Sequence, residues 1–125
     1  MLSGLFAKKE KKEINWIPLT TVSALDEIDQ KSKERPALIF KHSTRCSISS
    51  MVINNFERSF EEDAAFDIYY LDLIAFRDVS NEIEARYGVM HQSPQIVLIS
   101  NGRSVLDASH TGITYEMIKK SIETL

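Results

Sequence analysis

Lys41-His42-Ser43-Thr44-Arg45-Cys46-Ser47-Ile48-Ser49 holds the only cysteine in the chain. An apolar run, Ala37-Leu38-Ile39-Phe40, leads into it. A segment of helical period follows, carrying Ile48, Met51, Val52, Phe56 and Phe60. A buried strand therefore turns into a helix here, and Cys46 falls in that helix's first turn. A sulfur so placed faces N–H groups that lack partners within the helix, and the positive end of the helix dipole. Both favour the thiolate, the reactive form of cysteine. A lone cysteine is more often a small buried apolar residue. Here Ser43, Thr44, Arg45 and Ser47 flank it with polar and charged groups, which argues for an exposed loop end and a nucleophile.

The rest of the chain bounds what such a nucleophile serves. At 125 residues the sequence is long enough for one domain with its own core. One cysteine cannot form an internal disulfide, so a reducing compartment, the cytoplasm, is the expected setting. A composition of 43% hydrophobic and 26% charged residues is that of an ordinary globular protein. A net charge of −3 argues against nucleic acid as a partner, because binding a phosphate backbone rewards a concentrated basic face. No apolar run approaches transmembrane length, so no integral membrane segment is expected. The opening Met1-Leu2-Ser3-Gly4-Leu5-Phe6-Ala7 is too short for a signal sequence and has no basic segment before it. Residues 1–13 read as a flexible charged tail and residues 14–125 as a single domain. In the tail, four lysines against two glutamates give +2, leaving −5 for the remainder.

Outward from Cys46, the elements fall in a regular order. Trp16-Ile17-Pro18-Leu19 reads as a short strand, which Pro18 places at a sheet edge. Ser23 offers an N-cap to a helix carrying Leu25 and Ile28 and running to about Lys33. Ala37 to Lys41 is a central strand buried on both faces. The helix after Cys46 ends near Ser59. Phe66 to Asp72 is the next strand, rich in aromatic and β-branched residues. Asp78 or Ser80 can cap a helix with Val79, Ile83 and Tyr87 inward, stopped by Gly88. Ile96 to Ile99 follows Pro94 as a buried strand. Asn101-Gly102 supplies the positive φ angles of a type I′ hairpin, and Val105 to Ala108 returns antiparallel. Thr114 caps a last helix facing inward with Ile118, Ile122 and Leu125. The order is β-α-β-α-β-α-β-β-α: an α/β fold with a central mixed sheet flanked by helices.

That order, with a cysteine ending the second strand and a proline opening the fourth, resembles the thioredoxin-like fold. Cys46-Ser47-Ile48-Ser49 occupies the place of that superfamily's Cys-x-x-Cys motif, with Ser49 at the resolving-cysteine position. Tyr87-Gly88-Val89 leading to Ser93-Pro94 resembles its segment before a cis-proline. Asn101-Gly102 and Gly112 match its hairpin and the glycine before its last helix. More narrowly, Ser43-Thr44-Arg45-Cys46-x-Ile48-Ser49-Ser50 resembles the YtxJ-like monothiol bacilliredoxins. Proline is common after the cysteine in that family; Ser47 stands here and leaves an extra N–H donor near the sulfur.

The resemblance implies a monothiol thiol-disulfide oxidoreductase. Cys46 would attack the bacillithiol sulfur of a protein mixed disulfide, free the client thiol, and await a second thiol. Bacillithiol enters as a co-substrate, with no bound cofactor, and the partners are bacillithiolated client proteins. One thiolate and an accessible target sulfur suffice for such an exchange. Arg45 could reach the malyl carboxylates of bacillithiol, with Thr44 and Ser47 as rim donors. Ser93 and the implied cis Pro94 complete the substrate-binding set. Arg45, Lys41 and His42 supply nearby positive charge, although strand alternation points Lys41 away from Phe40 and His42. The position where many thioredoxins bury a carboxylate is Phe40. His91 is placed near the site, His42 at a strand end and His110 on the surface. None has metal-ligand spacing with Cys46, so no metal is expected. Two other readings are a non-catalytic thioredoxin-fold adaptor or thiol sensor, and a monothiol iron–sulfur carrier. The second usually has Cys-Gly-Phe-Ser, whose glycine and aromatic are both missing here.

Overall fold

A computed structural model describes residues 14–61 and 65–125. The chain runs through β1 (Ile17–Pro18), α1 (Ala24–Lys31), β2 (Ala37–His42), α2 (Ser47–Ser59) and β3 (Asp67–Asp72). It continues through α3 (Arg77–Tyr87), β4 (Gln95–Ser100), β5 (Arg103–Ser109), a 3₁₀ turn at His110–Gly112, and α4 (Tyr115–Glu123). This is the order read from the sequence, with the 3₁₀ turn added. The expected charged tail lies outside the described residues.

The strands form one mixed sheet in the spatial order β1-β3-β2-β4-β5. β2 runs parallel to β3 and antiparallel to β4, and all six of its residues are buried. Alternation along β2 divides the core in two. Leu38 and Phe40 pack with Val52, Ile53 and Phe56 of α2 and Ile118 of α4. Ala37 and Ile39 pack with Leu25 and Ile28 of α1 and Val79 and Ile83 of α3. Cover on both faces is why this strand reads as an unbroken apolar run. The Phe40 ring lies 5.4 Å from Phe56 and 5.8 Å from Trp16, both edge-on. Truncating a buried phenylalanine in such a cluster costs about 3–5 kcal/mol.

Strand and turn chemistry follow the sequence closely. Pro18, which has no N–H to donate, sits on the edge strand β1. Asn101 (φ 51°) and Gly102 (φ 71°) make the β4–β5 hairpin with two positive φ angles. Gly88 ends α3 in the left-handed region (φ 67°), and its N–H donates to Glu84 O at 3.0 Å. Thr114 Oγ1 accepts the Met117 N–H at 3.2 Å and caps α4.

Three expectations are corrected. Ser23 is already helical (φ −64°, ψ −26°) and caps nothing; Thr21 Oγ1 accepts the Ala24 N–H at 3.2 Å instead. Neither Asp78 nor Ser80 caps α3, which starts at Arg77. Asp72 Oδ1 organises the turn before it by accepting the Ile74 N–H at 3.1 Å, and Ser80 is buried inside the helix. Leu125 lies past the end of α4 and is exposed, because Tyr115 and Ile118 already fill the inward face.

Candidate active site

β2 ends at His42, and the turn that follows closes on itself: the Cys46 N–H donates to Ser43 O at 3.2 Å. Cys46 has an extended backbone (φ −107°, ψ 121°), and its carbonyl accepts the Ser50 N–H at 3.0 Å. It is thus the N-cap residue of α2, one position before the first turn. The orphan N–H groups of a helix start lie just beyond it. Cys46 is half-buried, while Thr44, Arg45, Ser47 and Ile48 around it are exposed.

Ser49, one turn into α2, is completely buried. Its Oγ accepts the Ser43 N–H at 3.1 Å and lies 2.7 Å from His42 Nδ1. Since Oγ already accepts one bond, its own proton is free to go to His42. That geometry suits a neutral imidazole protonated at Nε2. His42 is 7% exposed, and burial holds its pKa below the usual histidine range, with Asp72 and Glu57 opposing. The resolving position therefore holds a hydroxyl that pins the end of β2 to the start of α2.

The expected cluster of positive charge around Cys46 is smaller than the sequence suggested. His42 is held neutral by burial. Lys41 points to the opposite face of the sheet, fully buried, with Nζ 2.7 Å from His91 Nδ1 and donating to Gln95 Oε1 at 3.1 Å. Arg45 is left as the exposed cation of the turn, with no ion pair among the described residues.

The loop before β4 forms the other side. The Ser93–Pro94 bond is cis. β2 and β4 pair as far as Lys41 with Gln95, so Ser93 and Pro94 enter β4 beside the end of β2 from which the Cys46 turn leaves. Pro94 O accepts the His110 N–H at 2.9 Å. Ser93 Oγ is buried without a hydrogen-bond partner among the described residues. The predicted residues thus fall on two neighbouring segments, Thr44, Arg45, Cys46 and Ser47 on one and Ser93 and Pro94 on the other, with Ser49 beneath.

Beside the turn opens a groove of about 390 Å³ lined by Trp16, Pro18, His42, Ile53, Glu57 and Tyr70. Trp16 Nε1 donates to Glu57 Oε2 across it at 3.3 Å. A larger groove of about 640 Å³, between Asn55 and Ser59 on one side and Thr111 and Lys119 on the other, lies further along α2 from Cys46. Phe40, in the place of the carboxylate that many thioredoxins bury, is sealed in the core. Sequence reasoning did not find the Lys41–His91–Gln95 contacts. The only signal was a lysine directly after the apolar run Ala37 to Phe40.

The family model described as monothiol bacilliredoxin BrxC matches residues 17–118. Among solved structures, a candidate oxidoreductase with a thioredoxin fold is 26% identical, with a TM-score of 0.74 over 85% of this chain and 92% of that one. Fasciola hepatica thioredoxin is 14% identical, with a TM-score of 0.67 over 85% and 96% of the two chains. Nicotiana alata thioredoxin is 15% identical, with a TM-score of 0.69 over 93% and 97%. At such identities the likeness to the two thioredoxins shows the fold alone.

Proposed function

This chain belongs to the monothiol bacilliredoxin family, and on that premise we propose that Cys46 removes bacillithiol from protein mixed disulfides. One observation carries the reading. The sole cysteine sits at the N-cap position of α2, half-exposed, and the position of a resolving thiol holds a buried, fully engaged serine.

The chemistry balances with one sulfur. Cys46 thiolate attacks the bacillithiol sulfur of the client's mixed disulfide. The client–bacillithiol S–S bond breaks, a Cys46–bacillithiol S–S bond forms, and the client leaves as a thiolate that takes a proton from water. A second thiolate then attacks the bacillithiol sulfur of that adduct, regenerates Cys46 thiolate, and leaves as a disulfide with bacillithiol. Ser49 cannot perform that second attack, so the adduct persists until an outside thiol arrives.

The surroundings support recognition of both halves of the substrate. Arg45 is exposed and unpaired among the described residues, and its guanidinium suits the malyl carboxylates of bacillithiol. Thr44 and Ser47 offer rim donors, and the Ser93–Pro94 segment opposite offers backbone groups to an incoming chain. Ile48, Met51, Ile74 and Met90 are large apolar side chains left exposed at this end of the sheet, a surface suited to a protein client. A reducing compartment, the cytoplasm, fits a free thiol in this role.

Intact mass after incubation with a bacillithiolated client tests the proposal, alongside a glutathionylated client and Cys46→Ala. The expected result is a bacillithiol adduct on Cys46, with client thiol released and glutathione transferred poorly. The Cys46→Ala protein should form none. Absence of any adduct from either donor would overturn the proposal in favour of an adaptor.

A further inference from the structure

The mechanism above leaves one buried charged residue without a role. Lys41 is 0% exposed in the middle of the sheet, where an ionised side chain is costly unless its hydrogen bonds are met. Its Nζ donates to Gln95 Oε1 at 3.1 Å and reaches His91 Nδ1 at 2.7 Å. Gln95 then spends its remaining capacity on the loop before β4. Its Oε1 also accepts the Gln92 N–H at 3.3 Å, and its Nε2 donates to Met90 O at 2.9 Å. Ser80 Oγ adds a contact to His91 Nδ1 at 3.3 Å. Residues 90–93 make no backbone–backbone hydrogen bond among the described residues. Their polar links run to the side chains of Lys41, Gln95 and Ser80, and this loop ends in Ser93 and Pro94.

We propose that the buried Lys41 and Gln95, with the half-buried His91, form a clamp that positions the loop carrying Ser93 and Pro94, and so sets how the mixed-disulfide substrate is held against Cys46. The substrate half of this rests on the function proposed above. Lys41 is a positioning residue: it stands on the face of the sheet opposite His42 and acts through the loop. An ammonium donating to a neutral imidazole and an amide oxygen makes charge-assisted bonds, roughly twice as strong as neutral ones. One buried lysine can thereby hold a segment that has no strand pairing of its own.

The protonation states agree with the geometry. Burial brings the Lys41 pKa down to about 8, with Glu84 opposing and Arg77 adding to the effect. His91 is held below the usual histidine range by burial, then by Lys41 and Arg77, with Glu84 opposing. Ser80, Glu84 and Arg77 face the cluster from α3, Gln95 from β4, and Leu71, the register partner of Lys41, adds only apolar surface from β3. At pH 7 Lys41 is charged and His91 is neutral, a pair that fits the 2.7 Å contact with the ammonium donating to Nδ1. Acid puts a second cation against the first, and pH above about 8 removes the charge assistance.

The test uses the full chain and Lys41→Met, which keeps the length of the side chain without its charge. Three readouts are taken: alkylation of Cys46 by iodoacetamide, KM and kcat on a bacillithiolated client, and amide hydrogen exchange across residues 89–94. Alkylation should stay within about twofold while KM rises about tenfold, the scale of a lost buried charged hydrogen bond. Exchange in the loop should accelerate. KM of the wild type should rise between pH 7 and 9, and that of Lys41→Met should not. His91→Leu should behave alike, and the double variant should be no worse than either single one.

Alkylation that falls in step with turnover would overturn the clamp, since Lys41 would then act on the sulfur itself. So would wild-type KM and loop exchange in Lys41→Met, or single effects that multiply in the double variant. If Lys41→Met fails to fold, His91→Leu and Gln95→Leu carry the same readouts. The exchange arm contains no substrate, so it reads the clamp even if the wild type leaves bacillithiolated client untouched.

Discussion

Ser49 stands where a two-cysteine site would place its second sulfur, and its hydroxyl is already engaged by His42 Nδ1 at 2.7 Å and the Ser43 N–H at 3.1 Å. The serine is therefore part of the scaffold that presents Cys46. Ser49→Cys should convert the site to the two-cysteine route. A thiolate at position 49, with the neutral imidazole of His42 available to take its proton, would attack the Cys46 sulfur of the adduct. Bacillithiol would leave as a thiol, and a disulfide would join Cys46 to the introduced sulfur. Intact mass without any added thiol should show that internal disulfide; an adduct that persists on Cys46 would refute the expectation. The exchange of a hydroxyl for a weaker hydrogen-bonding thiol should also cost about 1–3 kcal/mol in urea unfolding. The residue types of this site were legible in the sequence, because a lone cysteine among polar neighbours stands out. The environment of Lys41 was not, because alternation gives a side chain's face but not what waits there from far along the chain.

At the scale of elements, apolar runs and turn residues carried the reading, and helix starts misled it. β2 and β4 are covered on both faces, so Ala37 to Phe40 and Ile96 to Ile99 had to be apolar. Asn101-Gly102 had to supply positive φ. A cap, by contrast, depends on where the backbone leaves the extended region, and several polar residues compete for it. Thr21 and Ser23 lie two residues apart, and only the backbone geometry decided for Thr21. Thr21→Ala should lower stability by about 0.5–2 kcal/mol, as removal of an N-cap does. Ser23→Ala should stay within about 0.5 kcal/mol, as an exposed substitution does. Urea unfolding of the two variants measures both, and a larger loss from Ser23→Ala would reverse the assignment.

For the whole molecule, the sheet separates two histidines, the buried His42 on the α2 face and the half-buried His91 on the α3 face. Burial holds both pKa values below the ordinary 6.5. On acidification the unfolded chain takes up protons at these positions first, while the folded chain resists until its lower pKa is reached. In that window the unfolded state binds more protons, so stability falls as pH falls. Above about pH 6.5 both states are neutral at these groups and the contribution is complete. The urea midpoint should therefore decline from pH 7 to pH 5, and the decline should be shallower in His42→Asn/His91→Asn. Equal slopes in the wild type and the double variant would exclude these histidines as its source.

The sequence by itself determined the order of elements, the central place of β2, the hairpin, the lone cysteine at a strand-to-helix turn and the serine three residues after it. Each of these is local, fixed by the period of apolar residues, by turn chemistry or by the count of one residue type. Tertiary structure alone decided what the buried polar groups do. It took Lys41 and His42 out of the charge around Cys46, joined Ser49 to His42, and tied Lys41 to His91 and Gln95. A buried polar group must find its partner wherever folding brings one, and the sequence distance to that partner carries no signal.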